Sequence, residues 1–410
     1  MNQKPEHLAV LDVGNSKTRA LIAEIPHSSS DDASRLRFLG FGEAESQGWH
    51  KGNLVDIGQA AASIREAVEQ AGQAAGVVIE SAAVGIGGLH LQGISSRAGI
   101  QLASRPREIF REDVLKVMQD ARNVTLAPDR DVLHLVAKEF VLDSQEGIRD
   151  PVGMVGSHLE VRVHILTHSA AAGQNLVTAV NRAGILVETL VGEAFACGEA
   201  VPSEEERELG VVVAVLGGPA CEIAAYAQGG LCLANALPVG GDHFTGDMAI
   251  GLHTSRVDAE AIKKTFGSVF PGWSHDGTSF EVPGMGHQPS RLISHRVLRQ
   301  ILEPRALELF ALLRGELRRR SLEDQLAAGV ILSGGGARLA GLCDLAERIL
   351  EMPARLGLPP RIQRLPEHLD FPEYATLVSL AHYGMRVRQQ RSPRESISAN
   401  RFLDLLVRKK

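Results

Sequence analysis

The chain has 410 residues, 44% of them hydrophobic and 22% charged, with a formal net charge of −6. That length is too great for one compact core and fits two to four domains of an ordinary globular protein, and the acidic balance argues against a nucleic-acid binder, which carries a basic face. Cys197, Cys221, Cys232 and Cys343 form no CxxC pair, and the histidines are scattered, so the thiols read as small core residues of a reducing cytosol and no metal centre is indicated.

Met1 to His7 is polar and runs into a strand without a signal-peptide pattern. The apolar run Leu8 to Leu11 leads into the turn Asp12-Val13-Gly14-Asn15-Ser16-Lys17, and Thr18 to Ile25 leaves it. This predicts strand, tight turn, strand. Asp31 to Arg35 is a polar connection and Arg37 to Glu45 a third strand. Over Asp56 to Ala75, Ile57, Ala60, Ala61, Ile64, Ala67, Val68 and Ala71 share one helical face. Val77 to Ile86 is a strand ending at Gly87-Gly88.

Between Leu89 and His164 the texture changes to a small inserted α+β module. Gly93 to Leu102, Val132 to Val141 and His158 to Leu166 read as strands, and Arg111 to Asn123 as a helix with Val114, Val117, Met118 and Ala121 inward. Ala170 to Ala183 is then a helix, Leu186 to Val191 a strand, and Glu193 to Val201 a helix of small residues. Small residues permit close packing of two domains, although an Ala-rich core helix reads the same way.

Val211 to Leu216 opens a second glycine turn, Gly217-Gly218-Pro219-Ala220-Cys221-Glu222, followed by Ile223 to Tyr226. Glycine brings backbone close to a phosphate and turns amide N–H groups toward it. Two such hairpins grip a nucleotide tail from opposite sides of a cleft. Gly210 to Gly241 is long and mostly apolar, but Gly217-Gly218-Pro219, Glu222 and Gly229-Gly230 interrupt it, which fits buried strands rather than a membrane span.

Leu231 to Val239 is a strand ending in Gly240-Gly241, and helices are predicted over Asp242 to Gly251 and Asp258 to Phe266, the second carrying Glu260, Lys263 and Lys264. Gly267 to Pro289 reads as loops around a hairpin and Arg291 to Arg320 has a long helical period. Gly329 to Ser333 is a buried strand closing on Gly334-Gly335-Gly336-Ala337, which suits the nucleoside end of the ligand. Helices are also predicted over Gly341 to Leu350 and Tyr374 to Val387. Arg388 to Ser398 is a polar, disorder-type linker. Beyond it Phe402, Leu403, Leu405, Leu406 and Val407 form an apolar helical stripe edged by Arg401, Arg408, Lys409 and Lys410. Such a stripe suits a membrane surface or a partner groove. A helix docked on the protein's own core is the alternative, and the linker favours the membrane.

The order of these pieces resembles the actin-like ATPase superfamily, and within it the FtsA family of bacterial division proteins. Asp12 to Lys17 is similar to the superfamily's first phosphate motif, Leu216 to Glu222 to the second, and Gly334 to Ala337 to the adenosine motif. Glu193-Ala194-Phe195-Ala196 and Tyr374-Ala375-Thr376 with Gly384 resemble the two connecting helices. Glu260, Lys263 and Lys264 match the spacing with which DnaK-type chaperones embrace adenine. The run Gly147 to Gly156 with Glu160 to Ile165 after it, and the cationic tail, are the FtsA-like features.

The resemblance implies an α/β, ribonuclease-H-like two-domain fold with an inserted subdomain. It divides the chain into a first domain over 1–88 and 165–205, the insertion at 89–164, a second domain at 206–387 with a smaller part near 240–305, a linker at 388–398 and a membrane-targeting helix at 399–410. It implies ATP with Mg2+ as ligand, Asp12 and Glu193 positioning metal-bound water, and Asp12, Gly14, Asn15, Ser16, Lys17, Gly217 and Gly218 around the phosphates. Glu260, Lys263, Lys264, Gly334, Gly335 and Gly336 fall at the nucleoside. The implied partners are FtsZ, further copies of the chain in a filament, anionic lipid of the inner membrane's cytoplasmic face, and later division proteins. Other readings are a scaffold of a pilus or secretion machine similar to PilM, and a small-molecule kinase. Val215 stands where the second phosphate motif has Asp, Pro219 where it has Gly, and Ala220-Cys221 where it has two Thr. Binding without efficient hydrolysis is therefore expected.

Overall fold

A computed structural model describes residues 6–26, 36–272, 278–284 and 289–390. Two sheets face each other across a cleft. The first has five strands in the spatial order Leu186–Gly192, Ser81–Ile86, Glu6–Val13, Lys17–Ile25 and Arg37–Glu45. The hydrophobic side chains of its three central strands are buried because helices cover both faces, while the edge strands leave Leu186 exposed and Phe38 and Phe41 half-buried. Helix Ile57–Ala75 lies over Lys17–Ile25 and Arg37–Glu45, capped by Asp56, which accepts the Gln59 N–H, and by Gly76 in the left-handed region. The approach is close because Gly42 faces the helix; a methyl there would lie 2.0 Å from the Ala67 carbonyl oxygen. The chain leaves this helix through an extended segment, and pairing starts only at Ser81, four residues later than the apolar run suggests.

The second sheet has nine strands in the order Gln145–Ile148, Arg130–Leu142, His158–Ser169, Gln92–Gln101, Gly230–Leu237, Cys221–Ala227, Val211–Leu216, Gly329–Ser333 and Ala354–Leu356. Its first four strands belong to the inserted module and the rest to the second lobe. They meet edge to edge at Asn235 and Gln92. The module has its own core, in which helix Arg111–Arg122 buries Val114, Val117 and Met118 against Phe140 and Val161.

Two buried histidines stitch the module to both lobes. His164 Nε2 accepts the Ala234 N–H at 3.0 Å, and His134 Nε2 accepts the Gly192 N–H at 3.0 Å. Burial lowers their pKa values to about 4 and about 3, so both are neutral acceptors, the form these bonds require.

Helix Glu193–Ala200 packs against Ala375–Gln390 and against strands Val211–Leu216 and Cys221–Ala227, so its small residues sit where the lobes meet. Three sequence assignments need correction. Ala375–Gln390 packs on Glu6–Val13 in the first lobe's core rather than with the block 206–387. That helix continues through Gln390, and Arg388, read as linker, pairs with Glu188 at 2.5 Å and Glu6 at 3.2 Å. Finally, Arg291–Ser294 is a strand paired with Ser279–Val282, and the long helix starts at His295. The rest of the linker, 391–398, and the predicted tail helix, 399–410, lie outside the described residues. Among the described residues no helix is long and apolar enough to cross a membrane.

Candidate functional site

Asp12 lies next to the end of the Glu6–Val13 strand, and Val215 next to the end of Val211–Leu216. The turns beyond these strands close on the same bond: Gly14 N–H donates to the Lys17 carbonyl at 3.1 Å, and Gly217 N–H donates to the Ala220 carbonyl at 3.0 Å. With Gly14 and Gly217 engaged, the next positions offer amides without a backbone partner in the turn, namely Asn15 and Ser16 on one side and Gly218 on the other; Pro219 has no N–H. The second turn is fixed to helix Gly241–Gly251, whose Gly241 and Asp242 N–H groups donate to the Gly217 and Gly218 carbonyls at 2.9 and 2.8 Å.

A cavity of about 630 Å³ lies between the turns, within the size range of small-molecule sites. Every residue assigned above to the phosphates, the metal water or the nucleoside lines it. Across it Asn15 Nδ2 donates to Asp242 Oδ2 at 3.2 Å, and Asn15 Oδ1 accepts the Gly52 N–H at 3.3 Å. Lys17 is bound at the rim by Glu45 at 2.5 Å and Glu43 at 3.3 Å. On another wall of the cavity Lys263 Nζ pairs with Glu260 at 2.6 Å and donates to the Gly241 carbonyl at 3.0 Å. Burial opposes the charge on Glu260, but Lys263 prevails and its pKa is lowered. Opposite stands Gly334, at φ 81°, where a methyl would lie 2.6 Å from the Leu216 carbonyl oxygen. Only glycine combines that backbone conformation with so close an approach. Arg338 stacks over Phe371 and pairs with Glu373 at 2.5 Å beside it.

The floor of the cavity is acidic. Asp12 is raised in pKa by burial, against the attraction of Arg19. Glu193 is raised well above the usual range by burial and by Glu222 and Asp12. Glu222 is pushed up to about 8 by burial, against the pull of the Gly88 amide and the nearby Ala194 amide. No group of three or more His, Cys, Asp or Glu among the described residues could hold a metal ion. Acidic walls without a direct ligand cage fit a hydrated divalent cation carried in on phosphate oxygens.

Residues 88–167 match the family model described as an SHS2 domain inserted in FTSA, and residues 213–379 match that of cell division protein FtsA. Cell division protein FtsA of Pseudomonas aeruginosa is 37% identical over 384 residues, covering 94% of this chain and 90% of that protein. The chain belongs to the FtsA family. It is therefore an actin-like cell division protein, and the FtsA-type insertion is the module described above. The fold is shared more widely. A PilM-PilN type IV pilus biogenesis complex gives a TM-score of 0.66 at 17% identity, over 92% of this chain and 98% of that one. MreB5 of Spiroplasma citri bound to AMPPNP gives 0.54 at 12% identity, over 94% and 97%.

Within this FtsA family site, sequence reasoning missed three contributors. Asp242 reaches Asn15 from a helix terminus over two hundred residues away. Arg19 lies opposite Asp12 in register, donating to Glu43 at 2.8 Å and standing over the Tyr374 ring. Glu222 is the third, and it had a signal: it is the one charged residue in the strand Cys221–Ala227, every residue of which is buried.

Proposed function

We propose that this protein binds ATP with Mg2+ in the cleft, polymerises into an actin-like filament, and tethers FtsZ filaments to the cytoplasmic face of the inner membrane at the division site. The observation that carries the nucleotide reading is the pair of matched turns on opposite walls of one cavity. Amides of the first turn, with Asn15 and Ser16, would hold the β- and γ-phosphates, and Gly218 would close from the other side. Asp12 and Glu193 would hold water of the cation, which screens phosphate charge from the acidic floor. Glu260, Lys263, Lys264 and Gly334 to Gly336 would enclose the nucleoside. With Val215 in place of an acid, hydrolysis is slow or absent, and ATP acts by favouring one relative position of the lobes.

The membrane part of the proposal rests on the sequence of the tail. Phe402, Leu403, Leu405, Leu406 and Val407 each gain roughly 1–2 kcal/mol on partial burial in lipid, and helix ordering takes back about 1 kcal/mol per residue. Each flanking cation adds about 1 kcal/mol on anionic lipid. One tail binds weakly, and a filament of many tails binds by avidity. The inserted module, with its separate core, offers later division proteins a surface away from the cleft.

Sedimentation of the purified chain with anionic vesicles, with and without ATP and FtsZ, tests this reading. ATP and salt dependence, with FtsZ brought down by the chain, is expected. A chain truncated after Ser398 should stay in solution and still bind ATP. Truncated protein that sediments with vesicles would remove the tail as anchor, and FtsZ left in the supernatant would remove the tether.

A further inference from the structure

A small hairpin stands between the strand Arg37–Glu45 and the helix Ile57–Ala75. Trp49–His50 pairs with Asn53–Leu54, and the turn residues Lys51 and Gly52 have φ 48° and 80°, the positive values that a two-residue turn between twisted strands takes. Its base belongs to the first lobe: the Gly48 carbonyl accepts the Val55 and Asp56 N–H groups at 2.8 and 3.0 Å, and Trp49 and Leu54 pack on the core around the first sheet. Its tip crosses the cleft. A methyl on Gly52 would lie 3.1 Å from Cβ and 3.2 Å from Cγ of Pro219, so the tip rests on the proline ring of the second lobe's turn. The Gly52 N–H donates to Asn15 Oδ1, and Asn15 in turn donates to Asp242. Trp49, Gly52, Asn53 and Leu54 line the cavity. Two strands of two residues each are a marginal unit in themselves. A segment held across the cleft by one ring and one side-chain bridge opens locally, without parting the lobes.

We propose that the hairpin 49–54 is a latch: closed on Pro219 it bars the cleft beside the two glycine turns, and its opening sets the rate at which nucleotide enters and leaves. Pro219 takes an amide from the second turn and gives the latch a rigid apolar seat. The proposal rests on the ATP reading above.

The test is to lock the hairpin shut. In the double variant Gly52→Cys with Pro219→Cys the two Cβ atoms stand near the separation of about 3.5–4.5 Å that a disulfide spans. The protein is loaded with Mg2+ and a fluorescent ATP analogue, oxidised, and mixed with excess ATP. Release from the cross-linked form should slow by about a hundredfold or more, and a reductant should restore it. Each single-cysteine variant controls for Cys197, Cys221, Cys232 and Cys343 and should release the analogue at one rate, oxidised or reduced. A second variant replaces 49–54 by two glycines and needs no cross-link. Uptake and release should both quicken about tenfold, with the dissociation constant changed about threefold at most. Folded double variant that does not cross-link, or that releases the analogue equally fast locked and reduced, would overturn the latch. So would a shortened chain that loses affinity at an unchanged uptake rate, the mark of a simple ligand contact. An unaltered chain that takes up no analogue would overturn the nucleotide reading itself, and this inference with it.

Discussion

In the first hairpin Asp12 faces Arg19 across the strands; in the second, Val215 faces Glu222. The turns between them close on equivalent backbone bonds, Gly14 to Lys17 and Gly217 to Ala220. Yet where the first turn has Asn15, Ser16 and Lys17, the second has Gly218, Pro219 and Ala220. One hairpin presents polar side chains to the cleft. The other keeps the shape of the turn, loses one amide at Pro219, and carries its acid in the buried wall. Gripping phosphate needs backbone shape and amides, whereas cleaving it needs charges aimed at the attacking water. The second hairpin retains the first requirement and has altered the second.

The hairpins can be made unequal or alike by substitution. The largest effect is expected from Asp12→Ala, which removes the one acid at the start of the polar hairpin. Affinity for Mg·ATP should fall about a hundredfold or more, read by calorimetry; unchanged affinity would place the ligand elsewhere. Val215→Asp should make the second hairpin like the first. It puts a carboxylate beside buried Glu222, so nucleotide-free stability should drop by about 2 kcal/mol or more. Mg·ATP should restore much of this and turnover should rise. Urea unfolding with and without ligand, beside a phosphate-release assay, reads both.

A pH series sharpens the same contrast. The Glu222 carboxyl titrates near 8 when folded, against an ordinary value of 4.5. Between those values the folded state holds more protons than the unfolded one, so stability falls as pH rises. The contribution is complete below the ordinary value and lost on passing about 8, with a slope of at most about 1.4 kcal/mol per pH unit. Glu193, also raised, acts in the same direction. Glu222→Gln should flatten the nucleotide-free stability curve between about pH 5 and about pH 8, and an unchanged slope would contradict the assigned burial. The smallest effect belongs to Pro219→Gly. It returns the missing N–H and should tighten ATP about fivefold, roughly the 1 kcal/mol net value of one hydrogen bond.

The strands and turns of both lobes were legible because their signals are local. Apolar runs bounded by glycine give strands, and the face from Ile57 to Ala71 gives the first helix. The cavity lining was legible for the same reason, since each glycine-rich segment that lines it is a contiguous motif. Contacts set by distant partners were not. Arg291–Ser294 shares the helical period of the adjoining helix from His295, and only pairing with Ser279–Val282 makes it a strand. Lys17 lines the cavity, but its pairing with Glu43 and Glu45, a strand away, has no local signal. The burial of Glu222 depends on the Gly87-Gly88 bend folding against it from the first lobe, which no local pattern encodes.

The most direct measurement is a crystal structure of the full chain with Mg2+ and a non-hydrolysable ATP analogue. The phosphates should lie between the two turns. Asn15 and Ser16 should contact them on one side, the Gly218 amide but no side chain from Pro219 to Cys221 on the other, with the hydrated cation over Asp12 and Glu193. Phosphates bound away from the turns, or a cation held far from those two carboxylates, would contradict this assignment of the site.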